Sequence, residues 1–174
     1  MATPEVITVR PPRIEDLDAL HPIFEYWIRD RYTGEIAPDE IAQTEASIVA
    51  SINGETSQEF MVAERQGKIL GIMGIQAPHG RMLDYAKTQK PMELITALVS
   101  DDARRTGAGK ELVRALIKKA TERGAEEIIV NSGPRYEKTG WPFWQHLFGE
   151  PIGTAVGFYG PGGDAKVWRK LLKK

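Results

Sequence analysis

The chain has 174 residues, enough for one compact domain with a buried core and one small-molecule cleft. Its 23 basic and 24 acidic side chains leave a net charge of -1, which argues against a basic field that recruits nucleic acid or an anionic membrane. Cysteine is absent, so disulfide scaffolds, thiolate metal sites and cysteine nucleophiles drop out, and a reducing cytoplasm suits the composition. The first ten residues mix polar and apolar side chains instead of forming a leader, and no apolar run approaches membrane-spanning length. The expectation is a cytoplasmic protein with a single domain over residues 1–174.

Residues 6–10, Val-Ile-Thr-Val-Arg, are mostly β-branched and stop at Pro11 and Pro12, which lack ladder donors; they predict a first strand. Ile14, Leu17, Leu20, Phe24, Trp27 and Ile28 recur at helical spacing around Pro22, so one bent helix or two short ones should follow. Asp39 as N-cap, Ile41, Ile48, Val49 and Ile52 along one side, and Gly54 as terminator predict a second helix. Residues 60–64 and 69–76 read as an antiparallel hairpin joined by the Gly-containing turn Arg65-Gln66-Gly67-Lys68. Residues 77–91 have no period and contain Pro78, His79, Gly80 and Asp84, which predicts a long loop with a helical turn around 83–87.

Residues 92–100 predict a fourth strand, and 109–123 an amphipathic helix that buries Leu112, Val113, Leu116, Ile117 and Ala120 and closes at Gly124. A fifth strand follows at 126–131. Residues 152–158 and 165–172 predict strands six and seven around the turn Gly160-Pro161-Gly162-Gly163, with Lys173 and Lys174 as a solvated tail. The order is α+β: a mixed, mostly antiparallel sheet of about seven strands flanked by helices, with a central parallel strand-helix-strand unit. Ligands collect at the carboxyl ends of such a parallel unit.

The connection from the fourth strand to its helix carries Arg104, Arg105, Thr106, Gly107, Ala108, Gly109 and Lys110. Gly107 and Gly109 let backbone approach a ligand with no Cβ in the way, and a helix start presents unpaired N–H groups to negative charge. These features make a pyrophosphate cradle. The bland alternative is a tight strand-to-helix turn with solvated arginines. The triphosphatase loop Gly-x-x-x-x-Gly-Lys-Ser/Thr and the third glycine of the dinucleotide fingerprint are both absent.

The string Arg-x-x-Gly-x-Gly after a strand ending in Val, with Leu112 three residues on, resembles the central motif of the GNAT superfamily of acetyl-CoA-dependent N-acyltransferases. The resemblance extends over nearly the whole chain: the opening Ile-Thr-Val-Arg strand, Glu15 and Asp16 at the first helix start, the hairpin and the closing strands fall in that family's order. It implies the GNAT fold, with backbone N–H groups of Arg105 to Lys110 holding the pyrophosphate of acetyl-CoA and one of the two arginines attracting its phosphates. It also implies that the pantetheine arm pairs with the backbone of Leu98 and Val99 as an added strand. Acetyl transfer to a primary amine of a small molecule or peptide is the implied activity, with both ligands in a cleft where strands four and five splay. A homodimer is compatible with it, and nucleic acid, membrane and metal are not expected.

Glu93 sits where many GNAT members carry a glutamate acting as general base, often through water, and partial burial would raise its pKa and improve that base. The alternative is a carboxylate facing solvent at a strand end. Two registers compete for the family's C-terminal aromatic motif. One matches Tyr136-Glu137-Lys138-Thr139-Gly140-Trp141; the other, preferred because Pro142 suits a first helical turn and Gly149 an end, places Trp144 at the usual tyrosine. Indole is no acid, so the second register leaves Tyr136 as general acid from a loop, or no protein acid. Tyr136 also reads as a packing aromatic, and Trp144 as helix packing or pantetheine wall. Asn131 and Ser132, ending strand five, are candidates to bond acetyl-CoA or substrate, or to cap the next segment. His21, His79 and His146 are too dispersed to form a metal site. Tyr26, Arg29, Arg31, Tyr32, His79 and Tyr159 are candidates for acceptor contacts. A GNAT-fold module that binds CoA or a partner without catalysis is the rival reading.

Overall fold

A computed structural model describes residues 6–172; the expected tail of Lys173 and Lys174 lies outside the described residues. The chain divides into two compact units, one of Met1–Gln76 with Ile95–Lys118 and one of Ala77–Leu94 with Lys119–Lys174.

In the first unit, β1 (Thr8–Arg10), β2 (Glu59–Arg65) and β3 (Lys68–Gln76) form an antiparallel meander. The hairpin turns through Gln66 and Gly67 at φ 51° and 78°, the paired left-handed conformation that matches the twist of its two strands. Residues 69–75 of β3 are buried without alternation, as a strand covered on both faces requires. Helix α1 (Leu17–Trp27) packs on β3, and α2 (Pro38–Ile52) packs on β2.

Pro22 lies inside α1, which is one helix and not two; it is preceded by a 3-10 turn at Ile14–Asp16. Asp39 is not the cap of α2. The N-cap is Ala37, and Pro38 occupies the first turn, where its missing N–H removes a donor that had no acceptor anyway. Asp39 then falls in the first turn, where its charge suits the positive end of the helix dipole.

Strand β4 (Pro91–Val99) and helix α3 (Ala108–Glu122) each contribute to both units. In the second unit the first residues of β4 pair in parallel with β5 (Glu127–Ser132), setting Glu93 opposite Ile129. Strand β5 pairs antiparallel with β7 (Ala165–Leu171), and β7 with β6 (Gly153–Ala155). Because β4 is shared, the mixed seven-stranded sheet has the order β1-β2-β3-β4-β5-β7-β6, mostly antiparallel, as expected. Helix α4 (Gly140–Phe148) packs on β7. Met82, Ile129, Ala155, Ala165 and Val167 are buried together, with Tyr85, Ala86 and Phe158 against them.

Two expectations shift here. The helical turn in the long loop is a 3-10 turn at Gly80–Tyr85, earlier than 83–87, because Met82 is its buried anchor. The sixth strand stops at Ala155: Gly157 and Gly160 adopt φ 65° and 93°, and the Asp164 carboxylate accepts the Gly157 N–H at 2.8 Å, curling residues 156–160 into a turn.

Candidate functional site

The loop from β4 to α3 belongs to the first unit and is fastened at both ends. The Ser100 N–H donates to Leu70 O at 2.7 Å, the Ser100 hydroxyl bonds Asp102, and Lys68 Nζ reaches Asp102 Oδ2 at 2.7 Å. Those contacts, the Lys68 ammonium first, hold the Asp102 carboxyl below the usual carboxylate range. A 3-10 turn at Asp101–Ala103 follows, with Arg104 Nη1 on Asp101 Oδ1 at 3.1 Å. From α1, the Trp27 indole donates to Val99 O at 2.7 Å, and the Arg104 guanidinium lies 5.6 Å from the Trp27 ring centroid. Val99, expected to pair with a ligand through its backbone, thus already accepts one hydrogen bond; sequence reading had no signal for the Trp27 anchor.

Gly107 adopts φ 92° and Arg105 φ 66°, so two residues of the loop are left-handed. A Cβ built on Gly107 meets nothing within 4 Å, so the glycine answers to backbone conformation and to open space in front of it, not to packing. The first intrahelical bond of α3 runs from Glu111 N to Gly107 O at 2.9 Å, so the N–H groups of Ala108, Gly109 and Lys110 precede it. Thr106 Oγ1 lies 3.4 Å from the first of these, Ala108 N. Ala108, Leu112, Val113 and Leu116 are buried and hold the helix start in place. The result is an electropositive backbone cradle able to hold phosphate oxygens.

The second unit holds Glu93, Asn131, Tyr136 and Trp144. Glu93 is 4% exposed, which removes the alternative of a solvent-facing strand end. Asn131 Nδ2 donates to Glu93 Oε1 at 3.1 Å, and the Tyr159 hydroxyl donates to Asn131 Oδ1. The Asn131 amide, expected to serve acetyl-CoA or substrate, therefore turns both its ends to this arrangement. Parallel pairing explains the contact: Glu93 stands opposite Ile129, and Asn131 is two residues further along β5, on the same face.

Tyr136 ends a 3-10 turn at Pro134–Tyr136, its ring 5.0 Å from the Arg135 guanidinium. Trp144 is 3% exposed within α4, edge-on to Phe143 at 4.8 Å and tilted against Phe148 at 5.6 Å, as helix packing requires. Trp141 donates its indole N–H to Ser132 O at 3.0 Å, tying the start of α4 to the end of β5. His21 bonds Glu45 at 2.5 Å, which raises its pKa.

One buried carboxylate went unremarked in the sequence. Glu127 is fully buried at the start of β5, where Oε1 accepts from Lys87 N at 2.8 Å, Thr88 N at 2.6 Å and Thr88 Oγ1 at 2.8 Å. Arg169 lies 3.7 Å from Oε2 and donates to Tyr85 O at 2.8 Å, so the pair pins residues 85–88 of the long loop. Its signal was a charged residue opening the apolar run Glu-Ile-Ile-Val, as Glu93 stands early in the apolar fourth strand.

A model of the acetyltransferase (GNAT) family matches residues 20–149. N-acetyltransferase family 8 member 7 of Mus musculus is 26% identical over 134 residues, covering 70% of this chain and 57% of the relative. The chain thus spans little more than half the length of that curated relative. Among solved structures, an N-acetyltransferase from Staphylococcus aureus Mu50 superposes with a TM-score of 0.67 at 21% identity, covering 97% of this chain and 99% of that one. The Salmonella typhimurium protein yncA, solved with its cofactor acetyl-CoA, has a TM-score of 0.65 at 17% identity, covering 97% and 95%. With the family model spanning most of its length, from α1 to the end of α4, the chain belongs to the acetyltransferase (GNAT) family.

Proposed function

We propose that the chain is an acetyl-CoA-dependent N-acetyltransferase that acylates a primary amine of a small molecule or peptide by direct attack. The observation that carries the catalytic part is Glu93, a buried carboxylate held by Asn131. The cradle of Arg105, Gly107 and the first turn of α3 supports the choice of donor: it offers backbone N–H groups and open space to a pyrophosphate. The relative yncA, solved with acetyl-CoA, supports the same choice.

Acetyl-CoA supplies an acyl carbon activated as a thioester. An alkyl amine, with a pKa near 10, is mostly protonated at neutral pH and must lose a proton before it can attack. Glu93 takes that proton, directly or through water. The nitrogen bonds to the carbonyl carbon, the tetrahedral oxyanion collapses, the carbon–sulfur bond breaks with the electron pair on sulfur, and the second proton of the attacking nitrogen passes to that sulfur, leaving a neutral amide and the CoA thiol. A thiol pKa of about 8.5 makes thiolate a tolerable leaving group, so the step proceeds with Tyr136 as acid or with none.

Two variants test the two halves. Gly107→Glu forces a Cβ and a carboxylate onto a left-handed backbone in the cradle, and calorimetry should record at least about a 100-fold loss of CoA affinity. Unchanged binding removes the loop assignment. Glu93→Gln keeps shape and removes the base; thiol release from acetyl-CoA with a panel of an amino acid, a polyamine and an alanine-led peptide should fall about 100-fold or more. Tight CoA binding with no turnover of any amine would instead make the chain a CoA-binding module.

A further inference from the structure

Within the second unit, three side chains from separate segments stand in a single file of hydrogen bonds: Tyr159 to Asn131, and Asn131 to Glu93. The order has a direction. A primary amide has one donating and one accepting end, and turning Asn131 over would set its oxygen against a carboxylate oxygen. The carboxylate only accepts, so Asn131 presents Nδ2 to Glu93, and its Oδ1 is left to accept from the Tyr159 hydroxyl.

Tyr159 is also placed with care. Its N–H donates to Gly163 O at 2.9 Å, Gly163 N returns to Gly160 O at 2.9 Å, and Asp164 holds Gly157 N. Arg81 latches the same turn from outside, donating to Val156 O at 2.9 Å with its guanidinium 5.7 Å from the Phe158 ring. Gly133, one residue past β5, leaves the space that the tyrosine ring needs, since a Cβ there would lie 3.0 Å from the ring. Packing does not explain the hydroxyl: Tyr159 is 47% exposed, whereas its neighbour Phe158 is partly buried against the core.

We propose that Tyr159 is a positioning residue for Glu93, acting through Asn131: its hydroxyl anchors the amide oxygen, restrains the Asn131 side chain and thereby keeps Nδ2 on the carboxylate. The inference rests on the reading of Glu93 as general base. It adds a residue that takes no proton and touches no reacting atom.

Tyr159→Phe keeps the ring and removes the hydroxyl. Two readouts separate positioning from folding. The Asn131 side-chain amide resonances in a 1H–15N spectrum, recorded on the full chain without ligand, should shift or broaden in the variant. With the amine panel, kcat should fall about fivefold while KM for acetyl-CoA stays constant, the effect of one hydrogen bond lost from an otherwise intact site. Asn131→Leu removes the amide and should lower kcat further, with Tyr159→Phe adding nothing in that background. Unchanged kcat and unchanged Asn131 resonances in Tyr159→Phe, beside an inactive Glu93→Gln, overturn this inference alone. Full turnover in Glu93→Gln, or turnover of no amine by the native chain, overturns it together with the base reading.

Discussion

Arg10 and Asp16 form a bidentate charge pair. Arg10 Nη1 meets Asp16 Oδ2 at 2.8 Å and Nη2 meets Oδ1 at 2.9 Å, while its Nε–Nη2 edge reaches Glu64 and Arg13 N donates to Asp16 at 2.7 Å. The Arg10 guanidinium holds the Asp16 carboxyl below the usual carboxylate range. The depressed folded value means that the contribution is fully present above the unfolded value near 4 and is lost as pH falls through the folded one. Asp16→Asn should therefore cost about 1–3 kcal/mol in urea unfolding at pH 7, and the gap to the native chain should narrow below about pH 4. A gap independent of pH would mean that the substitution disturbs packing and not charge. Glu93 and Glu127 carry the complementary lesson. Both open apolar strands, and spacing alone does not separate them; Glu127 is consumed by the N–H groups of Lys87 and Thr88, whereas Glu93 faces Asn131.

At the scale of elements, local stereochemistry was legible wherever one conformation was compulsory. Arg65-Gln66-Gly67-Lys68 reads as a Gly-containing hairpin turn, and the structure closes it on two left-handed residues, Gln66 and Gly67. Asp39 misled because two helix-start signals overlap, and Pro38 in the first turn moved the cap to Ala37. Residues 156–158 misled because Val-Gly-Phe has strand-like alternation that the Asp164 side chain overrides. Thr96 is the reverse case: nothing in its type announces φ 52° within β4, a conformation disfavoured for a β-branched residue. Gly71 in β3 has a clear element-scale role. A Cβ there would lie 2.7 Å from Leu98 O and 3.0 Å from Val99 Cα, backbone atoms that cannot swing aside. Gly71→Ala should push β3 off the end of β4 and cost about 1–3 kcal/mol, read as a lower denaturant midpoint at constant m. An unchanged midpoint would mean that the two strands separate freely.

For the whole molecule, binding to the folded state alone raises stability by mass action. CoA at 100 times its dissociation constant should add about 2.7 kcal/mol, or roughly 5–10 °C in thermal midpoint for a chain of this size. ATP at the same concentration should add nothing; a shift with ATP and none with CoA would reassign the cradle to a nucleotide. The sequence by itself determined the order of elements, the hairpin, and a glycine-bearing strand-to-helix loop, because these depend on residues within a few positions of one another. Only the tertiary structure decided which side chains meet Glu93. Asn131 lies 38 residues away and Tyr159 a further 28, and their encounter depends on the parallel register of β4 on β5 and on the turn after β6. A one-residue slip in that register would turn Asn131 to the opposite face, and no spacing along the chain records it.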